Sequence, residues 1–165
     1  VLPGGVTSFR SISAGGVLVG APLPLVKSNT CGIGNNGLPY CWGNEEYGQV
    51  GDNDATHTTK KVPTAVTLPG GVTSFRSISA GGTNGCGIGN NGLPYCWGRS
   101  QYGQVGDNAI ISRDAPVAVD ISSLAGVTSF LSINTASVYH TCGIANNRKV
   151  YCWGKGDAGS LGDNT

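Results

Sequence analysis

CGIGNNGLPYCWG, residues 31–43, returns letter for letter at 86–98, and a weaker copy, CGIANNRKVYCWG, fills 142–154. The Asn-Asn-Gly between short apolar runs is a turn signal, because Asn and Gly tolerate the positive φ that tight hairpins need. The string therefore reads as a β-hairpin. With Cys86 facing Cys96, Ile88 faces Pro94 and Gly89 faces Leu93, leaving Asn90-Asn91-Gly92 as the turn. Strand side chains alternate between the two faces of a sheet. One face then carries Cys86, Ile88, Pro94 and Cys96. The other carries Leu93, Tyr95 and Trp97 beside Gly87 and Gly89. A sheet with one bulky and one flat face can stack on copies of itself, bulky against flat.

The copies are there. LPGGVTSFRSISAGG at 2–16 recurs unchanged at 68–82, with a degraded third copy, LAGVTSFLSINT, at 124–135. YGQVGDN at 47–53 recurs at 102–108 and returns as AGSLGDN at 158–164. Between these blocks lie proline-led strands, PTAV at 63–66 and PVAV at 116–119. The unit is about 55 residues long, and the second copy holds four strand-like pieces, FRSISA (75–80), CGIG (86–89), LPYCW (93–97) and PVAV (116–119). Gly, Pro and Asn interrupt every window long enough for a helix. Four strands per unit at such a period is the signature of propeller blades. The expected fold is all-β: a partial β-propeller of about three four-stranded blades, incomplete at both ends, in units 1–62, 63–115 and 116–165. The chain opens just after a proline-led strand would end and stops just before the next would begin. It reads as a segment of a longer protein or as a unit that neighbouring copies complete head to tail.

The six cysteines form three pairs with nine residues between: Cys31 and Cys41, Cys86 and Cys96, Cys142 and Cys152. Directly opposed hairpin positions reach disulfide distance, particularly at a non-hydrogen-bonded pair. Three intra-blade disulfides are the leading expectation. Free buried thiols are the second, and zinc the third, since only His140 lies near a cysteine and zinc sites favour closer spacing. Disulfides imply an oxidising compartment, and so an extracellular, secreted or cell-surface protein.

The succession SISAGG, CGIGNNGLPYCWG, YGQVGDN, PVAV resembles the repeat of the regulator of chromosome condensation family, and His140-Thr141-Cys142 matches a common start of its cysteine strand. The resemblance covers essentially the whole chain. It implies a β-propeller, usually of seven blades, and secreted members often carry the paired cysteines. On that pattern Tyr40, Trp42, Tyr95, Trp97, Tyr151 and Trp153 are expected as inter-blade core.

Charged residues are 12% of the chain and its net charge is +1, so no basic surface awaits nucleic acid. The longest apolar stretch, 15–26, is too short and proline-rich to span a bilayer. No catalytic motif is present: there is no nucleophile elbow, and GIGNNG lies in a hairpin and precedes no helix. No cofactor or metal is expected. His140 reads as packing or hydrogen-bonding, and His57, in a polar loop, as solvated. Asp52, Asp107 and Asp163 of the GDN turns read as turn caps rather than calcium ligands, with Gln49 and Gln104 bonding backbone beside them. DATHTTKKVPT (54–64) has the composition of an O-glycosylated stretch.

The first unit has VLVGAPLPLVKSNT (17–30) where the second has only TNG (83–85). This apolar excursion folds onto the propeller rim or forms a contact with another protein, and Val17, Leu18, Val19, Leu23 and Leu25 are the candidate anchors. The expected function is a non-enzymatic structural or protein-binding module of an extracellular or cell-surface assembly, with a filament subunit as one form of it. Its partners are further copies or the rest of a longer chain. The alternative is a secreted binding or inhibitor propeller that engages one target. Nucleotide exchange on a small GTPase, the role of the family's founder, fits the neutral charge and paired cysteines less well.

Overall fold

The computed structural model describes residues 2–19, 25–135 and 138–164, with nothing stated of the side chains of residues 18, 19, 25, 26 and 158. Eleven strands form three antiparallel sheets. The first contains β1 (Phe9–Val19), β2 (Leu25–Gly34), β3 (Pro39–Gly43) and β4 (Lys60–Ala65), hydrogen-bonded in sequence order. The second repeats that order with β5 (Phe75–Ala80), β6 (Asn84–Gly89), β7 (Pro94–Gly98) and β8 (Arg113–Ala118). The third has β9 (Phe130–Asn134), β10 (His140–Ala145) and β11 (Val150–Gly154) and, among the described residues, no fourth strand. One 3₁₀ turn, Asp157–Gly159, is the only helical element among the described residues. No helix among them is long and apolar enough to cross a membrane.

The hairpin register has a local cause. Cys86 lies opposite Cys96, Gly87 opposite Tyr95 and Ile88 opposite Pro94. Gly92 closes the turn at φ 83°. Asn91 fixes it twice: its Oδ1 accepts the Leu93 N–H at 3.1 Å and its Nδ2 donates to the Tyr95 hydroxyl at 2.9 Å. Asn36 and Asn147 do the same for Tyr40 and Tyr151. In the third copy Arg148 takes the turn's positive φ, 65°, which costs a side chain more than it costs glycine.

The proline-led strand pairs with the Tyr-Cys-Trp strand before it: Tyr40 faces Ala65 and Tyr95 faces Ala118. The sheets therefore span 9–65, 75–118 and 130–154, one strand out of phase with units counted from each proline. Among the described residues the first sheet has four strands and the third has three. The excursion of the first unit is a lengthening of β1 and β2, whose pairing runs from Phe9 opposite Gly34 out to Val19 opposite Leu25. Leu23, and the side chains of Leu18, Val19 and Leu25, lie outside the described residues. Val17 packs on the second sheet, where a Cβ on Gly82 would sit 3.1 Å from Val17 Cβ.

Three disulfides staple the hairpins: Cys31–Cys41, Cys86–Cys96 and Cys142–Cys152, each with Cα atoms 4.1 Å apart, and no described cysteine is free. In the chain-entropy account, each such short loop contributes on the order of 2–3 kcal/mol. The first two bridges are fully buried, whereas Cys142 and Cys152 are half-buried. Exposure governs access of an attacking thiolate. Under limiting reductant Cys142–Cys152 should open first, checked by alkylation with a mass tag and peptide mapping. Simultaneous loss of all three bridges would contradict the difference in burial.

Candidate functional site: the junctions between blades

Each sheet presents an aromatic face to the blade before it. Phe75 lies over Gly87, where a Cβ would come within 2.4 Å of its ring, and centres 6.0 Å from Tyr95 and 6.2 Å from Trp97. Phe9 with Tyr40 and Trp42, and Phe130 with Tyr151 and Trp153, repeat the cluster. The opposite face carries the disulfide. Cys31, Ile33 and Cys41 of the first blade share one core with Phe75, Tyr95 and Trp97 of the second. Cys86, Ile88 and Cys96 share the next with Phe130 and, at its margin, Tyr151 and Trp153. Disulfide face against aromatic face is the contact that the alternation of the hairpin implied.

A polar latch runs through each contact. The Trp97 indole enters the GQVGDN loop of the first blade, and its Nε1 donates to the Gln49 carbonyl at 2.9 Å. It fits because residue 51 is glycine: a Cβ there would be 2.7 Å from Nε1. Trp153 repeats this at Gly106, donating to the Gln104 carbonyl at 3.0 Å. The Gln49 and Gln104 side chains, fully buried, accept the Tyr47 and Tyr102 N–H groups through Oε1 at 2.8 and 2.9 Å. Over the outside of each latch a cation covers an aromatic ring, Arg99 on Tyr47 at 4.7 Å and Lys155 on Tyr102 at 5.1 Å.

The GDN turns carry ion pairs, and the described residues contain no group of three His, Cys, Asp or Glu able to hold a metal. Asp52 Oδ1 accepts the Asp54 N–H at 3.1 Å and Asp107 Oδ1 accepts the Ala109 N–H at 3.2 Å. Their other oxygens hold the first residue of the proline-led strand: Lys60 Nζ is 2.9 Å from Asp52 and Arg113 Nη2 is 2.6 Å from Asp107. Asp52 and Asp54 together raise the Lys60 pKa, and Lys60 and Thr56 lower that of Asp54. His57 is exposed, as expected of a solvated loop residue, and it also bridges the first junction, with Nε2 2.8 Å from Asp114 Oδ1. Sequence reading missed it because its partner lies 57 positions away and belongs to the next blade. His140 opens β10 opposite Gly154.

Glu45 was also missed. It is fully buried, in the place that Ser100 occupies in the second unit, and its Oε2 accepts the Val50 N–H at 2.9 Å as Ser100 Oγ accepts that of Val105. Burial, and then the charge of Asp52, push its carboxyl up to about 8. The two copies also differ at an amide. Asn84 Nδ2 donates to Thr135 Oγ1 across the second junction at 2.5 Å. Its counterpart Asn29 is buried with neither amide atom paired.

The array defines a class: a disulfide-stapled partial β-propeller whose blades latch through tryptophan. Residues 36–88 match the regulator of chromosome condensation (RCC1) repeat, and residues 135–160 match a second form of it. RCC1-type repeats are thus found at these two places in the chain. The ultraviolet-B receptor UVR8 of Arabidopsis thaliana is 27% identical over 162 residues, which cover 98% of this chain and 34% of the receptor. The E3 ubiquitin-protein ligase HERC2 of Homo sapiens is 28% identical over 127 residues, 76% of this chain and 3% of the ligase. Among solved structures, human WBSCR16 superposes with a TM-score of 0.67 at 25% identity, over 81% of this chain and 34% of its own. Prp20p of Saccharomyces cerevisiae, described with its binding to Gsp1p and histones, superposes at 0.67 and 24% identity, over 83% and 33%. The chain thus spans about a third of the receptor and of both propellers.

Two outcomes follow. Trp97→Ala removes a fully buried indole and its hydrogen bond, at a cost of about 3–5 kcal/mol. Trp42→Ala, at the open end of the array, costs less than about half of that. Urea unfolding followed by circular dichroism compares them, and equal costs would refute the latch. For Glu45 the folded pKa is raised, so the native state binds the extra proton between its ordinary value of 4.5 and about 8. Its contribution to stability is therefore full at low pH and falls as pH rises across that window. Glu45→Gln should abolish this decline, flattening the stability curve by on the order of a few kcal/mol. An unchanged slope would place the ionisation elsewhere.

Proposed function

We propose that the chain is a non-catalytic, secreted propeller segment that serves as a protein-binding and structural module of an extracellular or cell-surface assembly. One observation carries this reading. The contact that joins the blades is made twice among the described residues, so each blade offers an aromatic face and a disulfide face that fit one another. The aromatic face of the first blade carries the buried Tyr40 and the half-buried Trp42. The disulfide face of the third blade carries Cys142, half-buried, and Ile144, 39% exposed. A self-complementary pair of unlike faces makes a heterologous, head-to-tail contact, and such contacts give filaments when the rotation does not close.

Export is supported by the cysteines. Bridges at all three hairpins are the pattern of an oxidising compartment, and glutathione keeps such thiols reduced in most cytosols. The sparse charge suits a packed building block. The chain covers only 3% of HERC2, so ligase chemistry in that relative gives no ground for catalysis here.

The expected result is recovery of the protein from the medium or surface fraction of its source cells, with the three bridges intact by non-reducing peptide mapping. Electron microscopy of that material should show rows of blades, and Trp42→Ala should shorten them. A cytosolic protein with six free thiols would overturn the export. A strictly monomeric protein at high concentration would overturn the structural role and favour a propeller that binds a single target.

A further inference from the structure

The net charge of +1 hides an uneven placement of cations. Lys27, Lys60, Arg113 and Lys155 each pair with a carboxylate. Among the described residues Arg10 and Arg76 pair with none. They hold the same place in the first two blades, directly after Phe9 and Phe75, where the register of β1 on β2 and of β5 on β6 slips by one residue. Such a bulge takes its extra residue out of the strand's alternation and re-aims the side chain. Each guanidinium is then held at one corner. Arg10 Nη2 donates to the Asn35 carbonyl at 2.6 Å, and Arg76 Nη2 donates to the Asn90 carbonyl. A carbonyl fixes the group without neutralising it, and a guanidinium has five N–H donors. Both are positioned charges with donors to spare.

The two arginines border one cleft of about 450 Å³, which lies at the first junction between two four-stranded sheets. Ser11 and Ser74 flank it, and it also meets Ile33 and Phe75, each only 4% exposed. No carboxylate lines it. The second junction treats the same place differently. Leu131 stands where the first junction has Arg76. Ser77, the counterpart of the exposed Ser11, has its Oγ buried without a partner. A Cβ on Gly92 would come within 3.0 Å of Ser129 Cβ, against 3.4 Å from Gly37 to Ser74 Cβ. One backbone plan therefore closes the mouth where leucine borders it and leaves it open where two cations do.

We infer that the cleft between Arg10 and Arg76 is a docking site for an acidic peptide segment, whose carboxylates meet the two guanidiniums while an apolar side chain between them rests on Ile33 and Phe75. The planar fork of arginine matches a carboxylate, and holding it in place beforehand lowers the entropy lost on binding. The apolar floor calls for carbon between the charges, which a peptide supplies and a free anion does not. A long polyanion needs cations that run on from blade to blade, and Leu131 interrupts the series. The site deepens the interaction-module reading and rests on it for a protein partner, whereas the cleft stands on the comparison of the two junctions.

The test uses the whole 165-residue chain, labelled with nitrogen-15, and the capped peptide Gly-Glu-Val-Glu-Gly. Its titration should give saturable amide shifts at Ser11, Gly37 and 74–76, which the uncharged Gly-Gln-Val-Gln-Gly does not reproduce. Added salt should weaken the binding, because both cations are exposed. Arg10→Gln and Arg76→Gln should each weaken it about fivefold with the fold and bridges unchanged. Lys149→Gln, at an exposed residue outside the cleft, should leave it as it was. Absence of saturation at millimolar peptide would overturn the site, as would equal loss with Lys149→Gln. The same shifts from sodium acetate at equal carboxylate concentration would reduce it to a site for free anions and overturn the peptide. A sulfated polysaccharide that shifts Arg148 and Lys149 together with the cleft, where the peptide shifts nothing, would assign a glycan surface and overturn it too. If the peptide fails while the disulfides, export and head-to-tail rows persist, the cleft falls and the module reading stands.

Discussion

The molecule depends on one steric allowance, the bare α-carbon at Gly51 and Gly106. A tryptophan from the next blade can reach a backbone carbonyl only if nothing projects from that turn, and the indole then fills the space a side chain would have taken. The hydrogen bond is buried, so leaving its donor unpaired would cost more than the bond contributes net. The buried glutamine holds the loop from within, and a cation over the tyrosine shields it from without. Packing, polarity and backbone conformation converge on the same few residues. A chain this rich in glycine forms a core only through that convergence.

The disulfides play a different part. They fix the flat face of each blade as a rigid plate against which the next blade's aromatics lie, and so serve both the hairpin and the junction. A four-stranded sheet of mostly small residues has little core of its own. Its burial comes from its neighbours, as repeat architectures require. The same logic makes each blade's two faces unlike and mutually complementary, so that one blade is the template for the next.

The near-identity of the units hides differences that decide local behaviour. Glu45 stands where its duplicate has Ser100, and a buried carboxyl replaces a hydroxyl with the same backbone partner. Ala80 stands where the third unit has Thr135, and Asn29 loses the partner that Asn84 keeps. Asp114 belongs to the second proline-led strand yet reaches back to His57 of the first blade. These contacts join residues from different copies, so a comparison of the copies one against another does not display them.

Much of the fold was legible in order and spacing. The hairpin register, the division into flat and bulky faces, the all-β class and the cysteine pairing follow from residue alternation and turn chemistry, which act over a few positions. Repetition then multiplies a local certainty threefold. The order of the second unit's four strands was legible as well, down to the proline-led strand beside Tyr-Cys-Trp, but the chain alone did not decide which carbonyl each indole reaches in the blade before it. Nor did it decide that the long excursion continues β1 and β2 as a paired ribbon, or that His57 faces a carboxylate from another blade. Those outcomes rest on contacts between distant segments, whose geometry exists only once the blades have stacked.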